Sequence, residues 1–321
     1  MLKYLLLFCF VTNAFSNLIG GNTDEYNNYL HTYNKNYNYT PEYWGHFYEY
    51  KINLDKITDH NSKNLSWKMG VNNFTDISNG TFKSIYLMAK PISHRIYGDN
   101  SLPFTQNPEI ILPDAIDWRS ENLVTNIKDQ GQCGSCWVFS AVGSLEGVYA
   151  KKTNNLVSLS EQNLVDCGQN FNCNEWMSSV LEYVFYNHGL DTETSYVKDC
   201  VCHYKKNTNG VKIKNITNIT QGDVDALLYA LATVGPISVA IDASFDFQNY
   251  KSGIYTSTSC NKEILNHGVL VVGYGVTSKD KKYYIIKNSW GTSWGMDGYA
   301  YWDRDTPDMC GIAQSATFPT L

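Results

Sequence analysis

The pattern of hydrophobic and polar positions changes along the chain, and each change predicts a different structure. Residues 136–150 are apolar or small on nearly every helical face, which is typical of a helix buried in a core. A loop of glycine and small polar residues, 129–135, leads directly into this helix. Residues 159–167 have the pattern of a helix capped by serine, and residues 180–187 predict another buried helix.

Strand patterns follow after about residue 207. Short runs rich in β-branched and aromatic residues, bounded by glycine-containing turns, predict strands at residues 235–242, 268–275, 283–287 and 298–302. Because the predicted helices come first and the strands second, we expect an α+β protein with two lobes.

The chain preceding these elements has a different character. Residues 1–16 combine a short basic start, an apolar run and small residues at Ala14 and Ser16, which predicts a secretory signal peptide. The apolar run is well below the ~20 residues of a spanning helix, which excludes a membrane anchor. Residues 26–56 predict an amphipathic helix that must dock on another surface. The loose Pro-containing stretch 91–113 predicts a linker open to proteolysis.

Composition narrows the function classes. The 321 residues are 43% hydrophobic and 17% charged, which suits a globular core and argues against global disorder. The net charge of -6, with no basic stripe, argues against a nucleic-acid partner. Of nine cysteines, Cys9 lies in the leader, and the even remainder predicts disulfides in an exported chain.

The candidate chemistry centres on Cys136, in the first turn of the predicted buried helix. Unpaired backbone N–H groups and the helix dipole favour an anion there, and a thiolate is the nucleophilic form of cysteine. The pair Cys133 and Cys136 also forms a CxxC motif. A zinc ribbon would need a second CxxC, haem attachment would need histidine in place of Trp137, and the context does not suggest a thioredoxin-like βαβ unit.

Residues 133–137, Cys-Gly-Ser-Cys-Trp, match at every position the local signature of papain and cathepsin enzymes, so the chain resembles papain-like cysteine proteases. Two further stretches resemble the propeptide of cathepsin L-like proenzymes. The first is formed by Glu42, His46, Tyr50, Asn53, Ile57 and Asn61, and the second by Gly70, Asn72, Phe74 and Asp76. Relatives usually carry Arg and Phe in place of His46 and Tyr50. An unrelated helical domain is the alternative reading of this region.

After the signal peptide at residues 1–16, the resemblance implies an inhibitory propeptide at 17–111 and a mature domain at 112–321. It also implies the papain-like fold, in which a helical lobe and a β-barrel-like lobe meet at a catalytic cleft. Residues 112–119 resemble the mature N-terminus of the family.

A catalytic thiolate needs a base, and three histidines lie in the mature region. His267 lies 131 residues after Cys136 and leads into an apolar strand, at the distance typical of the family's base. His188 precedes Gly189 at a predicted helix end, where a capping role is the simpler reading. His203 lies in a Lys-rich loop.

The resemblance implies the remaining catalytic groups. Asn288 would orient the imidazole, and Trp290 would cover their hydrogen bond. Gln130 and the backbone N–H of Cys136 would form the oxyanion hole. A Cys136 thiolate paired with His267 imidazolium would attack the peptide carbonyl, and water would hydrolyse the thioester. This cycle requires no metal or cofactor.

The other cysteines are predicted to form structural disulfides. The resemblance pairs Cys133 with Cys173 and Cys260 with Cys310, while Cys167 pairs with Cys200 or Cys202. We favour Cys202 because His203-Tyr204 follows it as in relatives. A zinc site at Cys200, Cys202 and His203 is a weaker alternative, because the spacing is too tight for ordinary ligation. Asn215 and Asn218 begin glycosylation sequons.

The cleft departs from the family pattern. Relatives carry Cys-Asn-Gly-Gly where this chain has Glu175 and Trp176 in place of both glycines. Substrate backbone approaches that segment closely, so side chains there put the substrate preference in doubt. Ser315 matches the floor of the main specificity pocket, and Met177 is a candidate wall. A small neutral floor fits apolar side chains. The chain has no His-rich insertion of the kind that would indicate an exopeptidase, so we expect an endopeptidase.

The predicted function is therefore a cysteine endopeptidase made as a zymogen in the secretory pathway, either lysosomal or secreted. Its partners would be peptide or protein substrates, its own propeptide and cystatin-type inhibitors, and we expect a monomer. Two alternatives are a catalytically impaired binding protein of the same fold, because the Gly-Gly is missing, and a disulfide-bonded structural protein. The latter leaves Gln130, Cys136, His267 and Asn288 unexplained.

Overall fold

A computed structural model of the protein describes residues 23–38, 40–88, 101–168, 177–197, 201–204 and 210–321. The predicted α+β fold is confirmed: most helices lie before residue 207 and most strands after it. The predicted signal peptide at residues 1–16 lies outside the described residues, as do Glu175 and Trp176.

The N-terminal region contains two helices, α1 at Thr23–Thr32 and α2 at Thr40–Ser62, so the prediction of one continuous helix over 26–56 is wrong. The chain breaks after α1 because Asn34 adopts a left-handed conformation, with φ 51°. Pro41 then occupies the first turn of α2, where its missing N–H costs nothing. Buried aromatic side chains join the helices, namely Tyr26, Tyr29, Phe47 and Tyr50. A short strand, β1 at Trp67–Met69, and helix α3 at Asn79–Tyr86 follow.

The helical lobe is built on α4 at Cys136–Thr153, which confirms the predicted buried helix. It ends where Asn154 turns left-handed and donates its backbone N–H to the Ala150 carbonyl. Helix α5 at Glu161–Cys167 starts at Ser160, whose side chain accepts from the Asn163 N–H as the predicted cap requires. Helix α6 at Met177–Asn187 packs against α4.

Within the described residues, ten strands form one mixed sheet, including four in the predicted positions. Besides β1, they are β2 at Ser101–Pro103, β3 at Ile116–Asp117, β4 at Asn215–Asn218, β5 at Ile237–Ile241, β6 at Tyr250–Tyr255, β7 at His267–Val276, β8 at Lys282–Lys287, β9 at Tyr299–Asp303 and β10 at Ala316–Thr320. Helices α7 at Val224–Thr233 and α8 at Phe245–Gln248 and a 3-10 turn at Met309–Gly311 complete the lobe.

The strand order is β1-β6-β9-β8-β7-β5-β10-β4-β2, and β3 pairs with β7. The path is open, because β1 and β2 lie at opposite ends and do not pair within the described chain. Both end strands come from the segment that precedes residue 112. The long central strand β7 begins at His267, so the sheet places that histidine beside α4.

In the described ranges, no helix is both long enough and apolar enough to cross a membrane.

Candidate active site

Cys136 is fully buried at the first position of α4, where the helix meets β7. The Gly268 backbone N–H donates to Cys136 Sγ at 3.3 Å. Gly268 permits this approach because a Cβ at that position would lie 2.9 Å from Trp137 Cα. Burial raises the pKa of the Cys136 thiol to about 12, although backbone N–H groups oppose the shift.

His267 is fully buried and is oriented by Asn288. Its Nε2 lies 2.8 Å from Asn288 Oδ1, which makes Nε2 the protonated donor of that hydrogen bond. Nδ1 has no hydrogen-bond partner within the described chain, so it is the nitrogen that can serve the Cys136 thiol. Burial lowers the pKa of His267 to about 4, with the Asn288 hydrogen bond acting in the opposite direction. In this covered state, burial favours the uncharged form of both groups, and the thiolate–imidazolium pair of the open cleft stays a prediction.

Trp290 covers the imidazole. The two rings stack with centroids 4.5 Å apart and an interplanar angle of 27°. The exposed fraction of Trp290 is 1%, so it keeps water from the hydrogen bond between His267 and Asn288.

Gln130 is anchored on the side of its amide oxygen and presents its amide N–H groups toward the cleft. Ser289 Oγ donates to Gln130 Oε1 at 2.7 Å, and the Gln130 backbone N–H donates to the Ser289 carbonyl. Gln130 Nε2 donates to two carbonyls, of Cys133 at 2.7 Å and of Tyr86 at 2.9 Å. The second carbonyl belongs to the N-terminal segment, so a peptide carbonyl already occupies a donor that an oxyanion would use.

The N-terminal segment therefore enters the cleft. Just after Tyr86, the Met88 backbone N–H donates to the Asn266 carbonyl at 2.8 Å. The Met88 side chain is buried in one apolar cluster with Cys136, Met177 and Leu265. The segment is thus held at Gln130 through the Tyr86 carbonyl and at Asn266 through the Met88 N–H, and the thiol beneath it is fully buried.

Aromatic contacts dock the same segment on the lobe that contains the sheet. Phe82 is fully buried, and its ring meets Trp290 edge to face at 5.1 Å. Phe74 meets Trp290 in the same manner at 5.7 Å. Strand β1 adds backbone hydrogen bonds by pairing antiparallel with β6. The cover is thus attached through the ring that shields the His267 imidazole.

A buried charged network supports the site, and the sequence reasoning missed it. Lys128 Nζ bonds Glu146 Oε1 at 2.9 Å and Glu161 Oε1 at 2.7 Å, while Thr125 Oγ1 donates to Glu146 Oε2. Lys287, which precedes Asn288, donates to the Thr125 carbonyl at 2.8 Å, and burial lowers its pKa to about 8. The available signal was Glu146, the one acidic residue in a helix whose buried positions are otherwise apolar or small.

The predicted pocket residues occupy different environments. Met177 has an exposed fraction of 1% and lies with Met88 in the apolar cluster. Ser315 is buried, and its carbonyl accepts from the Ala240 N–H. Trp290 faces the imidazole. Contacts of Glu175 and Trp176 lie outside the described residues.

Disulfides join Cys167 to Cys202 and Cys260 to Cys310, the pairings favoured from sequence. Cys202 therefore has no thiolate to offer a zinc ion, which removes the alternative zinc site. The partner predicted for Cys133 lies outside the described residues. Of the two sequon asparagines, Asn215 is exposed and Asn218 is buried, with no hydrogen bond from its Nδ2 in the described part of the chain.

Comparisons with known proteins agree with this arrangement. The model described as "Papain family cysteine protease" matches residues 112–320, and that described as "Cathepsin propeptide inhibitor domain (I29)" matches residues 26–82. The chain is 43% identical to a Caenorhabditis elegans "Cathepsin L-like" protein, over 82% of this chain and 80% of that protein. It is 41% identical to "Cysteine proteinase 5" of Dictyostelium discoideum, over 88% of each chain. Among solved structures, digestive procathepsin L 3 of Tenebrio molitor larval midgut superposes with a TM-score of 0.85 at 34% identity, over 93% of this chain and 98% of that chain.

Proposed function

The chain belongs to the papain family of cysteine proteases and is a cathepsin L-like zymogen, and from this premise we propose that it matures into an endopeptidase that uses Cys136, His267, Asn288 and Gln130. The observation that carries the assignment is the triad geometry: Cys136 Sγ accepts from Gly268 N–H, and the adjacent His267 is oriented by Asn288. Its fold is the papain-like fold of procathepsins, with an open sheet.

Departure of the propeptide changes the protonation of the pair. Burial is the main cause that keeps the Cys136 thiol and the His267 imidazole neutral in the zymogen. Opening the cleft restores solvent, which favours both charged forms, and the first turn of α4 stabilises the thiolate. The proton then resides on His267 Nδ1.

The reaction follows from these positions. Cys136 Sγ attacks the substrate carbonyl, and the backbone N–H of Cys136 together with Gln130 Nε2 stabilises the oxyanion. His267 donates its proton to the leaving amine, which leaves a thioester. His267 then removes a proton from water, which attacks the thioester and releases the second product. Asn288 holds the ring through both transfers.

Apolar substrate side chains fit the cleft. The propeptide already places Met88 in the buried cluster that contains Met177 and Leu265. We infer that a substrate side chain of similar size takes this place, with Ser315 as the floor of the pocket. The substitution of Glu175 and Trp176 for Gly-Gly favours the second candidate, a catalytically impaired binding protein.

The proposed maturation cut lies between Ile111 and Leu112, after a signal peptide at 1–16 and a propeptide at 17–111. Two observations support it: 94% of the Ile111 side chain is exposed, and the match to the protease family begins at residue 112. We propose export to an acidic vesicle or to the outside of the cell, with peptide or protein substrates and the propeptide as partners. We also propose that the enzyme is a monomer to which cystatin-type inhibitors can bind.

Acidification tests the proposal. The purified proenzyme is brought to about pH 5, where histidines become charged, and intact mass is measured beside a Cys136→Ala control. We expect the wild type to lose residues up to about Ile111 and to hydrolyse a peptide with an apolar side chain, while the control stays intact. If the wild type remains folded but neither shortens nor hydrolyses peptide after removal of the propeptide by another protease, the binding-protein alternative replaces the endopeptidase.

A further inference from the structure

The tail of the propeptide makes a second attachment, away from the cleft. Strand β2 at Ser101–Pro103 pairs parallel with β4 of the mature domain, and its residues align with Ile216, Thr217 and Asn218. The next residue, Phe104, continues the pairing because its backbone N–H donates to the Asn218 carbonyl at 3.1 Å. Strand addition of this kind supplies affinity through the main chain.

Side chains add selectivity to this pairing. The Phe104 ring lies against Phe318, with centroids 5.6 Å apart and edge-to-face geometry, and against Tyr229 at 5.8 Å. The Tyr229 hydroxyl also bonds both backbone groups of Asn107: it accepts from the N–H at 3.1 Å and donates to the carbonyl at 3.1 Å. Tyr229 and Phe318 are both buried while the tail is bound.

This attachment is separate from the catalytic centre. In the sheet, β5 and β10 lie between β4 and β7, the strand that begins at His267. With strands about 4.8 Å apart, β4 lies roughly 14 Å from β7. A peptide paired with β4 can therefore remain in place while the cleft is open.

We propose that the β4 edge, with Tyr229 and Phe318, is an exosite of the mature enzyme for an extended peptide bearing an aromatic side chain, and that its occupant is the cleaved propeptide tail 101–111. The inference rests on the proposed cut after Ile111. The exposed stretch 109–111 allows that cut without disturbing β2. The tail then stays bound as a separate strand and delays departure of the propeptide.

A fluorescent synthetic peptide of residues 101–111 tests the exosite on the acid-matured enzyme, by anisotropy, before and after alkylation of Cys136 with iodoacetamide. We expect saturable binding that alkylation does not change. The Phe104→Ala peptide should bind at least about tenfold more weakly because it loses the aromatic contacts. The Leu102→Ala peptide is the matched control, since 51% of Leu102 is exposed, and it should bind like the parent. The Tyr229→Phe enzyme should bind the parent peptide about fivefold more weakly and hydrolyse a small peptide substrate at the wild-type rate.

Several outcomes would overturn the exosite while leaving the proposed endopeptidase intact. They are loss of binding on alkylation, equal binding of the parent and Phe104→Ala peptides, and no binding by active enzyme up to ~1 mM, the effective concentration of a short tether.

A second readout needs no proteolysis. In the Tyr229→Phe proenzyme, amide hydrogen exchange of residues 101–107 should accelerate about fivefold while exchange in α2 stays constant. Unchanged exchange in residues 101–107 would refute the inference that the Tyr229 hydroxyl holds the tail at Asn107.

Discussion

Replacing Phe82 by alanine should weaken the cover over the active site by an amount that the structure lets us bound. Phe82 is fully buried, stacks on Tyr86 at 5.3 Å and meets Phe74 at 5.2 Å and Trp290 at 5.1 Å. A buried Phe→Ala change costs ~3–5 kcal/mol in total. Contacts with Phe74 and Tyr86 belong to the propeptide and persist when it undocks. The contact with Trp290 does not.

If about half of the total lies in the docked contact, undocking becomes easier by ~1.5–2.5 kcal/mol, and the open population rises about 10- to 70-fold. Alkylation of Cys136 by iodoacetamide at neutral pH reports this population. In the closed form the thiol is buried and burial raises its pKa to about 12, so reaction proceeds through the open form.

The assay measures by mass spectrometry, at successive times, the fraction of the Cys136-containing peptide that is alkylated in wild-type and Phe82→Ala proenzymes. Tyr48→Ala is the matched control: 66% of Tyr48 is exposed on α2, and the labelling rate should be unchanged. A Phe82→Ala rate within twofold of wild type, in a variant whose circular dichroism is native, would show that Trp290 is not the anchor.

Three further predictions follow from the site. Gln130→Ala should lower kcat/KM of the mature enzyme about 10²- to 10³-fold while Cys136 still alkylates at the wild-type rate; a loss below about fivefold would remove Gln130 from the oxyanion hole. Burial lowers the pKa of His60, so the docked propeptide loses stability as pH falls from ~6.5 toward that lower pKa. His60→Gln should accordingly move the midpoint of self-activation to lower pH, and an unchanged midpoint would contradict the idea. Of the two sequons in residues 112–321, Asn215→Gln should remove glycan mass from the folded proenzyme and Asn218→Gln should not, because Asn218 is buried; the reverse mass change would contradict this.

Local signals in the sequence predicted the elements that carry the candidate catalytic groups. Helix α4 was predictable because its apolar positions surround it, and β7 because ten residues form a nearly continuous apolar run. Cys136 and His267 lie at the starts of these elements, so predicting both elements also placed the candidate nucleophile and base. That Asn288 orients the ring in catalysis stays a prediction for mutagenesis.

The propeptide contacts were beyond local reasoning. Strand β1 pairs with residues near Gly253, and β2 pairs with β4, so neither short strand has a pattern of its own. The cluster around Asp76 was equally hidden. Its carboxylate is fully buried and accepts from the hydroxyls of Tyr29 at 3.0 Å and Tyr37 at 2.7 Å, as well as from Lys35. A buried carboxylate of this kind depends on donors that only the folded propeptide assembles.

The placement of β1 and β2 at opposite ends of the sheet has a consequence for how the protein is made. An unpaired strand edge is a template for another chain, and folding intermediates with such edges aggregate. In the zymogen, β1 covers β6 and β2 covers β4, so one removable segment protects both open borders of the mature sheet. A chain produced without residues 17–111 would have to form β6 and β4 with bare edges, and we expect it to collect as insoluble material. The segment that inhibits the protease would then also prevent aggregation during folding, and it would be removed after the core has formed.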